Sequence, residues 1–228
     1  MNAVHAEPLT RLPDLPGTPS PALLPVLPEL AGLLPSAGLR RGSTVAIHPG
    51  PGSTSLLLAL LAAASAAGAW CGVVGWPELG GLAAVELGVV PARLIAVPDP
   101  GASWLVVASA LLDGGDLVVV RPPARIDARD ALRLSARARE RQSTLLVAGE
   151  WPGAELRLST TDSRWFGLEH GAGHLVGREL AIQAHGRGAA ARPRSGRLWF
   201  SRALTGTGTP DAGTPDVRVA EGVAEGVA

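Results

Sequence analysis

The chain of 228 residues is 46% hydrophobic and 18% charged, enough apolar side chain for one sizeable domain with appendages or for two small ones. It holds 29 glycines and 20 prolines, and arginine with no lysine; Arg, Ala, Gly and Pro share GC-rich codons, so arginine abundance alone argues for no function. The single cysteine, Cys71, excludes an internal disulfide and reads as a small buried hydrophobe.

In chain order, residues 1–35 carry eight prolines, which exclude a regular helix at the start. The apolar rhythm of ALLPVLPELAGLLP then predicts a short helix or an extended strap on the core. The span 42–77 has no charged residue and raises the question of a membrane helix. Gly, Pro, Ser and Thr fill 49–55 and the middle is alanine-rich, so a buried helix followed by a buried strand is the better reading. A strand is predicted at Thr44–His48, a helix at Ser53–Ala67 and a strand at Ala69–Gly75. A helix over Leu79–Leu87, a strand at Leu94–Val97 and a helix over Ala102–Leu112 follow. DLVVVR, Asp116–Arg121, is a strand of continuous apolar residues, as in a parallel sheet buried on both faces. Asp127 caps a helix over Ala128–Arg141, with Asp130 as capping-box partner, and Thr144–Ala148 is another strand. Beyond Pro152, alternation with glycine turns predicts antiparallel strands at the sheet edge. The fold class is therefore α/β: mostly parallel strands with helices on both faces, extended by antiparallel strands on the C-terminal side. The divisions are a Pro-rich segment 1–32, a core 33–202 and a disordered acidic, Gly-rich tail 203–228.

HPGPGSTSLL, His48–Leu57, joins a strand to a helix in the manner of a phosphate-binding loop. Such a loop needs a lysine on the β/γ-phosphates and a Ser/Thr on magnesium, spaced G-x-x-x-x-G-K-[ST]. Here Gly50, Gly52, Ser53 and Thr54 keep the outline, Ser53 stands where the lysine would be, and the loop is about two residues short. Pro49 and Pro51 have no N–H to offer. The stretch reads as a structural turn. Arg121, at the end of DLVVVR, replaces the acid that would hold magnesium, and Asp116 lies at the strand's other end. No catalytic residue, cofactor or metal is expected.

Charge is unevenly spread: residues 121–202 carry 15 arginines against 8 acids, while the tail carries 1 against 4. Arg129, Arg133, Arg137 and Arg141 spread over one face of a helix, opposite Ala128, Ala131, Leu132, Ser135 and Ala138. They are a solvated face, or a candidate surface for a partner or nucleic acid. His170 and His174 read as part of a loop, not as metal ligands. No nucleophile-elbow spacing occurs. Trp165 and Trp199 are expected as core or cover residues.

The segment LLPSAGLRRGSTVAIHPGPGSTSLLLALLAAA, followed by VELGVVPARLIAVPDP and DLVVVR, resembles the core of RecA-type recombinases in motif order and spacing, over Leu33–Phe200. Against that pattern Trp76 stands where the family keeps its water-activating glutamate, with Glu78 two positions away. The two DNA-binding loops are cut to Pro122–Ile126 and Glu150–Ala154. Together with AELRLST, SRWFGL, GHLVGRE and the Arg-Pro-Arg before GRLWF, these departures resemble the ImuA group of RecA-like proteins, including its divergent actinobacterial form. That resemblance implies a non-catalytic adaptor in damage-induced, SOS-linked mutagenic translesion synthesis. Its partners would be an inactive Y-family polymerase-like protein and an error-prone C-family DNA polymerase, with DNA touched indirectly and no membrane. The cytoplasm is the expected location, since no basic region followed by an apolar core opens the sequence; during DNA damage it would be nucleoid-associated. Other readings are a degenerate ATPase using an arginine such as Arg40 or Arg41, a recombinase-like DNA-binding protein, and a SulA-like cell-division inhibitor.

Overall fold

The computed structural model describes residues 22–123, 126–169 and 172–201; the Pro-rich start, Arg125, His170 and the acidic tail lie outside them. The leucine rhythm ahead of the core folds as a strap in which β1 (Leu23–Leu24) pairs antiparallel with β2 (Leu39–Arg40). A single turn of helix, α1 (Pro28–Ala31), lies between them and starts on a proline, where the missing N–H costs nothing. Leu24, Leu30, Leu33, Leu34 and Leu39 are all buried against the main core.

The α/β alternation follows: β3 (Thr44–Ile47), α2 (Ser53–Ala66), β4 (Cys71–Val74), α3 (Gly81–Glu86), β5 (Leu94–Val97), α4 (Trp104–Gly114), β6 (Leu117–Val120), α5 (Ala128–Arg141) and β7 (Thr144–Ala148). Three long strands close the chain: β8 (Leu156–Glu169), β9 (Ala172–Gly186) and β10 (Arg194–Ser201). All eight from β3 onward form one sheet in the order β10-β9-β8-β3-β7-β6-β4-β5. The antiparallel strands expected after Pro152 are present, β8 with β9 and β9 with β10, but the first of them joins the sheet differently. β8 runs parallel to β3, with Ala46 opposite Arg157, and it continues well past AELRLST to Glu169. The crossover that makes this orientation possible is 149–155, anchored by Trp151.

The central strands β3, β4, β6 and β7 are buried on both faces. α2 is apolar all round, and Leu56 to Leu61 are all nearly inaccessible on the face that also carries the strap and α3. On the other face α4 and α5 cover Ala46, Val74, Val118, Val120, Leu145 and Val147. The residues of α5 that point inward are Ala131, Leu134 and Ala138, spaced i, i+3, i+7. Leu132, expected among them, is exposed, because it sits one residue off that stripe. Asp127 caps the helix by accepting a hydrogen bond from the Arg129 N–H. Asp130 does not close the capping box; its carboxylate faces Arg133 at 3.7 Å.

Cys71 is buried in the main core. Desolvation, and secondarily the Asp116 carboxylate, push its thiol from 9.0 up to about 12. The stability linked to this shift is fully present below pH 9 and is lost as the pH rises through 12. Native protein should therefore resist iodoacetamide at pH 8, with Cys71 alkylated only after urea unfolding; mass spectrometry of the two samples checks this.

Candidate functional site

The carboxyl ends of β3, β6 and β7 open onto a cavity of about 270 Å³ lined by Ile47, Pro49, Ser53, Thr54, Leu57, Trp76, Arg121 and Ala148. Sheets of this kind place ligands at such strand ends. The structure therefore brings together residues that the sequence showed only as separate departures from a nucleotide-site pattern.

Arg121 is held by its backbone. Its N–H donates to the Val74 carbonyl at 2.9 Å, and its own carbonyl accepts from the Trp104 indole N–H at 2.9 Å. Gly75 makes this packing feasible, since a side chain there would stand 2.6 Å from the Arg121 carbonyl oxygen. The guanidinium donates to a Glu78 carboxylate oxygen at 2.5 Å and lies 5.7 Å from the centroid of the Trp76 ring. Glu78, the displaced candidate for a water-activating acid, is thus engaged by the very cation that replaces the magnesium acid. A divalent metal entering this edge would meet positive charge first.

The turn itself is occupied from inside. The His48 N–H donates to the Leu158 carbonyl and the Ser53 N–H to the Gly50 carbonyl, while Pro49 and Pro51 have none. The N–H groups of Gly50, Gly52, Thr54 and Ser55 have no acceptor among the described residues, so only part of the N–H fan of a phosphate cradle is lost. Gly52 is the N-cap of α2 with φ +89° and makes no side-chain cap. β9 lies directly over it: a methyl group at Gly52 would stand 2.4 Å from Leu180 Cδ2 and 3.0 Å from Arg178 Nη2. Gly50 is pressed similarly against Thr160, whose Oγ1 would be 3.0 Å from an added Cβ. His48 Nδ1 lies 2.9 Å from Glu150, outside the cavity lining. On these observations the residues present do not fit a magnesium-bound nucleotide.

Sequence reading missed Arg178. Its Nε donates to Ser163 Oγ at 2.8 Å and its Nη1 to Ser55 Oγ at 3.3 Å, and the guanidinium covers the Trp165 ring at 4.6 Å. Burial lowers its pKa. Ser55 is 123 positions away, and only the bulged pairing of β8 with β9 brings the two elements together. No local signal could have found it. Trp165, expected as core or cover, is 55% exposed on its other side, and Trp199 packs at 4.8 Å on Phe166.

The four arginines of α5 divide. Arg137 and Arg141 both donate to Asp113 of α4, clamping the two helices together. The Asp113 hydrogen bond raises the Arg137 pKa despite some desolvation. Arg133 faces Asp130, and Arg129 has no side-chain partner among the described residues. Half of the candidate surface is therefore spent on helix packing. Arg40 and Arg41 are held by Glu155 and Asp116 at the opposite end of the strands, too far to act as a substitute for the lysine. The shortened second loop is pinned down, with Trp151 buried and its indole N–H donating to Ser135 Oγ at 2.9 Å.

These contacts make Gly52→Ala a test of structure. Left-handed strain plus overpacking against Leu180 should destabilise the fold by roughly 2–5 kcal/mol, read from urea denaturation, with the loss partly recovered by Leu180→Ala.

Residues 32–153 match the model of the MT3502 N-terminal domain family. The chain is 38% identical over 177 residues to the uncharacterized protein Rv3395c of Mycobacterium tuberculosis (strain ATCC 25618 / H37Rv), covering 70% of this chain and 83% of that protein. Its fold is similar to the flagellar accessory protein FlaH of Methanocaldococcus jannaschii, with TM-score 0.52 and 12% identity over 79% of this chain and 94% of that one. It is likewise similar to the RadB recombinase, with TM-score 0.51 and 16% identity over 76% and 92%. The fold is thus RecA-like, and the chain belongs to the MT3502 N-terminal domain family.

Proposed function

We propose that the protein is a non-catalytic, RecA-like accessory factor of the ImuA type, serving damage-induced mutagenic translesion synthesis in the cytoplasm and at the damaged nucleoid. The observation that carries this reading is the pairing of Arg121 with Glu78 beside Trp76. Two of the positions that would bear the chemistry of a nucleotide site, 76 and 121, hold residues that contact one another, with Glu78 joined to the same guanidinium, while the surrounding fold is kept. Such a fold works by presenting surfaces.

The surface that fits a protein partner is the end of the β8–β9 ribbon. All four of Trp165, Phe166, Leu175 and Val176 are exposed there, and the register sets Trp165 and Val176 on one face of the ribbon and Phe166 and Leu175 on the other, Val176 at 58%. Clustered apolar side chains of this size on an otherwise polar surface mark interaction sites, and the half-open indole suits an interface anchor. The partner in this reading is the inactive Y-family polymerase-like protein, through which an error-prone C-family polymerase is reached.

Affinity purification from DNA-damaged cells tests it. The wild-type chain should recover the polymerase-like protein, identified by its peptides, and Trp165→Ala with Val176→Glu should cut recovery at least about tenfold and lower induced mutation frequency. Equal recovery with the variant would overturn the surface. Magnesium-dependent ATP hydrolysis by the purified protein, or a thermal shift at millimolar ATP, would overturn the non-catalytic reading in favour of a degenerate ATPase.

A further inference from the structure

The face of the sheet beneath α4 and α5 is covered only in part. The core under these helices draws on β3, β4, β6 and β7 and takes no residue from β8, β9 or β10. The register shows what the uncovered part carries. Arg157 lies beside Ala46, which points into that core, so Arg157 shares its face, and His185 is the cross-strand neighbour of Arg157. Arg187 follows two residues later, with its N–H on the Glu155 carbonyl and its guanidinium 3.5 Å from the Ala154 carbonyl. Diagonal neighbours of this kind stand roughly 7–8 Å apart.

The starts of β3 and β8 and the last turn of α5 meet at the same end of the sheet. There Arg40 of β2 and Arg139 of α5 share the single carboxylate of Glu155. Arg192, in the link between β9 and β10, is exposed and has no side-chain partner among the described residues, and neither has Arg157. The rim thus sets five arginines and a histidine against Glu155. Of the other acids near this end, Asp116 binds Arg41, and Glu140 is exposed with no ion pair among the described residues, giving only a weak electrostatic pull on Arg137. Of the exposed large hydrophobic side chains, Leu132 of α5 reaches the border of the rim, meeting the Arg187 guanidinium across Gly153.

We propose that this rim binds the phosphate backbone of duplex DNA without regard to sequence. A dense set of guanidinium groups with no apolar centre is suited to phosphate and poorly suited to a protein interface, whose energy comes from buried aromatic and aliphatic anchors. No exposed aromatic ring stands among these residues to stack on unpaired bases, which favours duplex over single strand. The site lies at the strand ends opposite the cavity and stands independently of the polymerase partnership.

Fluorescence anisotropy with a labelled 30-base-pair duplex between 50 and 200 mM salt tests it. Three to five phosphate contacts give a slope of log K on log salt of about −3 to −4.5, a weakening of about forty-fold or more over this range. Arg157→Gln/Arg187→Gln/Arg192→Gln should reduce affinity at least about tenfold and flatten the slope. Glu155→Gln, which releases Arg40 and Arg139, should tighten binding about threefold or more, a gain that mere damage to the fold would not produce. Thermal melts of each variant check folding. No binding by the wild-type chain at 50 mM salt overturns the proposal. So does an unchanged affinity and slope in the triple variant, or loss on Arg129→Glu/Arg133→Glu alone. Displacement by poly-glutamate as readily as by unlabelled duplex would transfer the rim to an acidic protein partner and overturn it as well.

Discussion

Gly52 must turn left-handed and bare of a side chain, because Leu180 and Arg178 fill the space where a Cβ would stand. That contact fixes how α2 leaves β3, and α2 is the helix around which the larger apolar cluster is built. It also fixes the path of β9, which must run closely over the turn and carries Arg178 onto Ser55 and Trp165. In a phosphate-binding loop a glycine at this place makes room for a ligand. Here it makes room for the protein's own strand. One glycine thereby serves a packing role at a place where a phosphate-binding loop would use it for a ligand.

The parallel part of the fold was legible because its signals are local. Continuous apolar runs such as Leu117–Val120 mark strands buried on both faces, and Asp127 marks the start of α5 by a bond to its own next turn. The exchange of acid for arginine at 121 and of glutamate for tryptophan at 76 was legible as well, as two losses. That Arg121 pairs with Glu78 beside Trp76 was not, since Glu78 and Arg121 are 43 positions apart and only the neighbouring of β4 and β6 brings their ends together.

The orientation of β8 and the role of the α5 arginines were hidden for related reasons. Alternation along Leu156–Glu169 reports one covered face and says nothing of direction; direction is set by the crossover that Trp151 anchors in the core. A four-residue arginine repeat looks the same whether it faces solvent or a neighbouring helix, and Asp113, the residue that decides for Arg137 and Arg141, lies on α4. The length of the β8–β9 ribbon and its exposed Trp165 depend on pairing between strands, which a linear pattern does not display.

The carboxylate shared by Arg40 and Arg139 has a consequence for control. Guanidinium groups stay protonated at every physiological pH, and with no lysine in the chain none of these cations can be silenced by acetylation. The electrostatic character of this end of the molecule is therefore permanent for its guanidinium groups. It can be altered only by ionic strength or from the anionic side. Glu155, which ties β2, α5 and the start of β8 to one another, is the lone acid in that position, so a single side chain acts as both structural rivet and rheostat.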